Sequence, residues 1–96
     1  MKTIHSTDIF TAWVEALPAP SVQGRIMLAI DKLALGLGDV APIGEGVSEM
    51  RLHFGPGYRL YFVARGKEIV ILLCGGTKRT QAKDIKEAKQ MAKQLE

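Results

Sequence analysis

Between Val47 and Lys78, apolar and polar residues alternate in short runs that glycine-containing turns separate. The runs cover residues 47–54, 58–64 and 68–74. The turns between them are Gly55-Pro56-Gly57 and Arg65-Gly66-Lys67, and both are typical turn sequences. A side-chain period of two with short turns is typical of β-strands, so this segment predicts an antiparallel meander of three strands.

The lengths of the turns predict how the strands pair. A three-residue first loop places Phe54 opposite Tyr58, and a two-residue second loop places Arg65 opposite Glu68. One face then carries apolar side chains and is expected to form the core: Met50, Leu52, Phe54, Tyr58, Leu60, Phe62, Ile69, Ile71 and Leu73. The other face gathers charged groups at one end: Glu49, Arg51, His53, Arg59, Tyr61, Val63, Val70, Leu72 and Cys74. A one-residue slip of the first turn would bury Arg59 without a partner, which costs several kcal/mol.

Three amphipathic helices accompany the meander. A short strand at residues 2–5 precedes a cap at Ser6 or Thr7, and a helix with apolar residues at helical spacing then runs to Pro18. A second helix starts at Pro20, and its apolar stripe extends to Leu37. Residues 39–46 form a glycine- and proline-containing connection that is expected to be a loop lining a site.

Gly75-Gly76 is expected to break the last strand, and Thr80 is expected to cap a final helix through Leu95. The predicted order is β-α-α-β-β-β-α, which is an α+β fold with a helical hairpin packed on an antiparallel sheet.

Composition limits the function classes. The 96 residues, 47% of them apolar, are enough for one domain spanning 1–96. No run approaches the roughly 20 apolar residues of a membrane span, so we expect a soluble cytoplasmic protein with no membrane partner. One cysteine, Cys74, and two distant histidines give no metal-ligand spacing, and neither metal nor cofactor is expected.

The net charge is +3, and the surplus lies in residues 78–96. This segment has six basic residues against three acidic ones: Lys78, Arg79, Lys83, Lys86, Lys89 and Lys93 against Asp84, Glu87 and Glu96. Such a helix face either binds an anionic partner or is simply solvated.

The order of the polar motifs resembles the RelE/ParE superfamily of toxins from type II toxin–antitoxin systems, and within it the HigB-like addiction-module killer proteins. The resemblance covers essentially the whole chain. The residues that carry it are Glu49-Met50-Arg51, Tyr58-Arg59-Leu60-Tyr61-Phe62, the apolar run 69–74, Lys78-Arg79-Thr80-Gln81, and Asp84-Ile85 with Ala88.

The resemblance implies a toxin that a cognate antitoxin neutralises, and in this subgroup the antitoxin is expected to be a helix-turn-helix protein. The usual activity is metal-independent cleavage of mRNA on the translating ribosome, which inhibits translation through attack of the RNA 2′-OH on the adjacent phosphate. A ParE-like branch instead binds and inhibits DNA gyrase without being an enzyme. Contact with DNA is expected only through the antitoxin complex, where the toxin acts as a repressor partner.

Cleavage by 2′-OH attack needs a base, an acid and positive charge on the phosphate. Arg51 and Arg59 suit the phosphate because a guanidinium can hold two oxygens. Four side chains are candidates for proton transfer, and the choice among them stays open: Glu49, His53, Tyr61 and Lys78. RNA binding is expected of His53, Arg79, Lys83 and Lys86.

Structural roles compete with some of these assignments. Glu49 and Arg51 share a face two residues apart and could form a structural ion pair, and Tyr61 could line the sheet instead of stacking on a base. Better-known RelE toxins carry extra basic residues before the meander, whereas residues 39–46 contain Asp39 and Glu45 and no lysine. The charge footprint on ribosomal RNA is then expected to be smaller, with Lys83, Lys86, Lys89 and Lys93 as substitutes.

Overall fold

The computed structural model describes residues 1–95, so Glu96, part of the predicted basic segment, lies outside the described residues. The elements in chain order are β1 (Thr3–Ser6), α1 (Asp8–Glu15), α2 (Pro20–Ala34), β2 (Asp39–Gly44), β3 (Val47–Arg51), β4 (Tyr58–Arg65), β5 (Ile69–Thr77), a short 3₁₀ helix (Lys78–Thr80) and α3 (Gln81–Gln94). None of the helices in this part of the chain is long and apolar enough to cross a membrane.

The strands form one five-stranded mixed sheet in the order β1-β5-β4-β3-β2. β1 runs parallel to β5, and the other neighbours are antiparallel. α1 and α2 pack on one face around residues such as Phe10, Ile26 and Leu60. α3 packs on the other face, where Ala88 meets Tyr61 and Leu73. The predicted α+β architecture is therefore confirmed, with helices on both faces of the sheet.

Thr7 fixes the start of α1 against the sheet. Its hydroxyl accepts a hydrogen bond from the Phe10 N–H at 3.1 Å, as an N-cap residue does, and donates one to the Leu73 carbonyl at 2.6 Å. One side chain thus caps the helix and ties it to β5. α2 begins with Pro20, whose missing N–H costs nothing in the first turn.

The predicted pairing of the first hairpin is wrong by two residues. Met50 lies opposite Leu60 and Arg51 opposite Arg59, so Phe54 does not face Tyr58. The connection is longer than the Gly55-Pro56-Gly57 turn, because regular pairing stops at Arg51 and the chain loops through residues 52–57. A shift of two preserves the alternation of side chains, and both arginines stay on the predicted face.

The second hairpin differs by one residue, which exchanges the two faces of β5. Arg65 pairs with Ile69, across a three-residue loop, so the predicted pairing with Glu68 is wrong. Val70 and Leu72 therefore pack toward α1 and α2, whereas Ile71 and Leu73 pack toward α3, the reverse of the prediction. A register shift between Tyr61 and Phe62 skips Leu73 and places Cys74 opposite Tyr61, so Cys74 lies on the face predicted for it.

Residues 39–46 are not a loop, as predicted, but contain the edge strand β2. Asp39 pairs with Arg51 and Val40 with Met50, and the register shifts between Pro42 and Gly44. A proline is tolerated on an edge strand because its missing N–H can face away from the neighbouring strand. This segment is extended because it pairs with β3, and a contact with a separate strand cannot be read from the local sequence of residues 39–46.

Gly75 and Gly76 do not end β5, which continues to Thr77. Each glycine allows a close approach on one face of the strand. A Cβ on Gly75 would overlap the Trp13 ring, and a Cβ on Gly76 would overlap the Asp84 carboxylate and the Thr80 hydroxyl. The pair therefore lets α1 and the start of α3 pack directly on the strand backbone.

Candidate functional site

A row of charged residues crosses the sheet on the face that α3 covers, next to the start of that helix. Asp39 lies opposite Arg51, Arg51 opposite Arg59, and Arg59 opposite Gly76. Two arginines directly opposite each other repel, and such a pair is destabilising unless carboxylates flank it. Each arginine contacts a different carboxylate, since Arg51 contacts Asp39 and Arg59 contacts Glu49.

Arg59 contacts Glu49, and both side chains are largely buried, with 11% and 4% of their surfaces exposed. The Arg59 Nε lies 3.8 Å from the Glu49 Oε1. The same Glu49 oxygen accepts a hydrogen bond from the Gln81 Nε2 at 2.8 Å. Because Gln81 is the first residue of α3, this contact links the helix to the sheet and holds the Glu49 carboxylate that positions Arg59.

Arg51 and His53 share Asp39. The Arg51 Nη2 donates to the Asp39 Oδ1 at 3.3 Å, and the His53 Nε2 lies 2.7 Å from the Asp39 Oδ2. The His53 hydrogen bond, aided by the charges of Arg51 and His53, outweighs desolvation and lowers the pKa of Asp39 below 3.8. Asp39 thus remains a carboxylate at neutral pH. Because the His53 Nε2 contacts Asp39, the other ring nitrogen, Nδ1, is left to contact a substrate.

A cleft of about 470 Å³, here called the site cleft, lies between this row, the loop 52–57 and the 3₁₀ helix. Lys78 reaches it from the start of the 3₁₀ helix, and a Cβ on Gly57 would lie 3.3 Å from the Lys78 Cβ. The site cleft is lined by Arg51, Leu52, His53, Phe54, Gly55, Pro56, Gly57, Arg59 and Lys78. Four of these side chains are basic, and they can hold an anionic group between them.

Tyr61 is fully buried between the sheet and α3, with 0% exposure, and it does not line the site cleft. Burial, with a smaller contribution from Glu49, raises its pKa well above 10. Its hydroxyl has no hydrogen-bond partner within residues 1–95. Opposite it, burial raises the pKa of the Cys74 thiol to about 12, so both groups stay neutral under α3.

The other predicted RNA-binding residues lie outside the site cleft. Arg79, Lys83 and Lys86 are exposed on the 3₁₀ helix and α3. The Nζ atoms of Lys89 and Lys93 lie 3.6 and 3.4 Å from the Glu45 carboxylate, so part of the charge expected from this helix is paired within the chain. The proposed Glu49–Arg51 ion pair is replaced by Glu49–Arg59 and Asp39–Arg51.

Asp39 and Gln81 are components of the site that the sequence did not identify. Asp39 reaches Arg51 and His53 only because β2 pairs with β3, and that strand was not predicted. Gln81 follows the basic pair Lys78-Arg79, but its contact with Glu49 spans 32 positions in sequence. Within residues 1–95, no group of three or more histidine, cysteine, aspartate or glutamate side chains could hold a metal ion.

Comparison with known proteins finds a matching family and a similar bacterial protein. The family described as "Phage derived protein Gp49-like (DUF891)" matches residues 12–95. A protein of Haemophilus influenzae (strain Rd), described only as an uncharacterized protein, is 40% identical over 93 residues, which are 96% of this chain and 94% of that protein. The family match includes β2 to β5 and α3, and hence every residue that lines the site cleft.

Proposed function

The chain belongs to the Gp49-like family, a phage-derived family of toxin–antitoxin type that is related to RelE and HigB toxins, and from this premise we propose that it is an mRNA-cleaving toxin. It would act on the translating ribosome, inhibit translation and be neutralised by a cognate antitoxin. The observation that carries the proposal is the convergence of Arg51, Arg59 and Lys78 on one cleft beside His53.

The two arginines suit the phosphate that is attacked. Arg59 lies beside the buried Glu49, and Arg51 donates a hydrogen bond to Asp39, so both guanidinium groups are already placed next to the cleft. Charge accumulates on the phosphate oxygens as the 2′-oxygen adds, and prearranged guanidinium groups stabilise that charge. A protein that only bound a partner would not need three cations around one cleft, and this feature favours cleavage over gyrase binding.

Burial narrows the four candidates for proton transfer to two. Tyr61 is buried with a raised pKa, and Glu49 is held by Gln81 and Arg59. His53 has 76% of its side chain exposed and lies in the cleft lining, as does Lys78. We therefore assign proton transfer to His53 and Lys78, with Asp39 orienting the imidazole.

In the proposed reaction, the neutral His53 imidazole takes the proton of the 2′-OH, and the 2′-oxygen forms a bond to the adjacent phosphorus. The bond from phosphorus to the 5′-oxygen breaks, and the Lys78 ammonium donates a proton to that oxygen. The products are a 2′,3′-cyclic phosphate and a free 5′-OH. His53 and Lys78 then exchange protons with water, so no metal or cofactor is required.

The test is an in vitro translation reaction with a defined mRNA, with and without ribosomes, read by primer extension and by the chemistry of the new ends. We expect discrete breaks that need ribosomes and that leave 5′-OH ends. Ribosome-independent breaks would contradict the proposed substrate. Intact mRNA in the presence of growth-inhibiting protein would contradict the nuclease itself and direct attention to gyrase.

A further inference from the structure

A second cleft of about 470 Å³ lies beside the site cleft, between α2 and the β2–β3 pair, and is here called the α2 cleft. Its lining consists of Arg25, Leu28, Ala29, Lys32, Gly38, Asp39, Met50, Arg51, Leu52, His53 and Phe54. The two clefts share the segment Arg51, Leu52, His53 and Phe54. The α2 cleft opens on the side of α2 and the site cleft on the side of the 3₁₀ helix, so an RNA strand that occupies both passes around this end of β3.

The α2 cleft carries a surplus of positive charge. Three cations line it, Arg25, Lys32 and Arg51, and Asp39 is the single carboxylate of its lining. The Asp39 oxygens contact Arg51 and His53. Arg25 and Lys32 form no ion pair with any residue of the described chain 1–95. Both cations are exposed and remain available to an anionic ligand.

An apolar surface separates the two cations. Arg25, Leu28 and Lys32 follow one another at helical spacing on α2, and 62% of Leu28 is exposed. The Arg25 Cζ lies 3.7 Å from the centroid of the Phe54 ring. This contact positions the guanidinium against the ring face, and within residues 1–95 its N–H groups donate no side-chain hydrogen bond. Cations flanking an apolar and aromatic wall match the phosphate and base of a nucleotide.

We propose that the α2 cleft binds the nucleotide that neighbours the scissile phosphate. Arg25 and Lys32 contact its phosphate, and the base lies against Leu28 and the edge of the Phe54 ring, whose face Arg25 covers. This subsite rests on the proposed function, because it extends the path of the same RNA strand. Its role is to bind substrate, and the reacting atoms stay in the site cleft with Arg51, Arg59 and Lys78.

The test compares cleavage on mRNA-programmed ribosomes by the wild-type protein and by the variants Arg25→Gln and Lys32→Gln. Each variant should raise KM by roughly three- to tenfold while kcat stays within about twofold, since a charge-assisted phosphate contact is lost without change at the reacting phosphate. Each should also reduce the slope of log(kcat/KM) against log salt concentration by about 0.7, as expected for one fewer contact to single-stranded RNA. Arg25→Lys keeps the charge and should recover the salt slope.

Lys67→Gln is the matched control, because Lys67 is exposed in the β4–β5 loop and lines neither cleft. Its KM and salt slope should equal those of the wild-type protein. Wild-type KM in Arg25→Gln and Lys32→Gln would overturn the subsite while leaving the proposed function standing. If these variants had the wild-type KM but bound the antitoxin more weakly, the α2 cleft would be an antitoxin-binding surface, and the proposed nucleotide subsite would again be overturned. Absence of cleavage by the wild-type protein would overturn the proposed function and the subsite together.

Discussion

Arg51 and Arg59 lie directly opposite each other on adjacent antiparallel strands, and each contacts a different carboxylate. Asp39 reaches Arg51 from the edge strand, and Glu49 reaches Arg59 from within the sheet. The two contacts differ in burial, because Asp39 and Arg51 are partly exposed whereas Glu49 and Arg59 are nearly buried. Loss of an arginine should therefore affect stability at Arg59 far more than at Arg51.

Arg59→Ala should lower the free energy of unfolding by about 3 kcal/mol, because it leaves the Glu49 carboxylate buried with only the Gln81 amide as partner. Arg59→Lys keeps the charge and should cost less, yet it should reduce cleavage because an ammonium lacks the planar fork of donors. Chemical denaturation of the two variants, followed by cleavage assays on the folded proteins, separates these effects. Wild-type stability in Arg59→Ala would refute the structural role given to the Glu49–Arg59 contact.

Gly76→Ala should destabilise the protein by about 1 to 3 kcal/mol, because the new methyl group overlaps the Asp84 carboxylate and the start of α3 must move. Gly24→Ala is the matched control within α2, where an added Cβ meets no atom within 4 Å. That change should raise stability by about 0.5 to 1 kcal/mol, since alanine is the better helix former. Thermal unfolding of both variants measures the difference, and equal effects of the two substitutions would contradict the packing described for Gly76.

Stability should fall at alkaline pH because of Cys74 and Tyr61. The native pKa of Cys74 is raised to about 12 from 9.0, so between these values the native state keeps a proton that the unfolded state has lost. The free energy of unfolding then decreases as pH rises above about 9. Tyr61 adds to this in the same direction, since its native pKa is also raised. Denaturation of wild-type protein and Cys74→Ala between pH 8 and 11 should give the variant the shallower slope.

A cavity left by Cys74→Ala would lower the free energy of unfolding equally at every pH. Ionisation of the thiol instead changes the slope of that free energy against pH, so the slope is the quantity to compare. Parallel curves for wild-type protein and variant would mean that the thiol does not contribute. Reaction of native protein with a thiol reagent at pH 8 is a second check, and it should be slow because the thiol is buried and protonated.

His53→Gln should lower the cleavage rate by roughly 100-fold, the usual effect of losing a positioned general base. Asp39→Asn should have a smaller effect, because it weakens the orientation of the imidazole but leaves it in place. His5→Gln is the control, since His5 is exposed on β1, at the opposite edge of the sheet from β2. If His53→Gln cleaved mRNA on ribosomes at the wild-type rate, His53 would not be the general base and another group would have that role.

The sequence predicted the order of helices and the three-strand meander well because those features depend on local periodicity and turns. It also placed Glu49, Arg51 and Arg59 on one face, since a shift of two residues in the first hairpin leaves the alternation unchanged. The second hairpin was mispredicted because a third loop residue, Glu68, is compatible with the same sequence and reverses the faces of β5.

Contacts between distant segments were not predictable in the same way. β2 is a strand because it pairs with β3, and its glycines and proline are typical of loops. Asp39 and Gln81 therefore entered the site only with the structure. The burial of Tyr61 was not predicted either. Tyr61 is buried by α3, and the sequence did not indicate which face of the sheet this helix packs on.

The central claim is that the site cleft is where mRNA is cut, and single-turnover cleavage on mRNA-programmed ribosomes tests it most directly. Lys78 is exposed and Arg51 is partly exposed, so the variants Lys78→Gln and Arg51→Gln should both fold like the wild-type protein. We expect each to cleave at least about 100-fold more slowly, while Lys67→Gln cleaves at the wild-type rate. Wild-type rates in Lys78→Gln and Arg51→Gln would contradict the account and place the chemistry elsewhere on the protein.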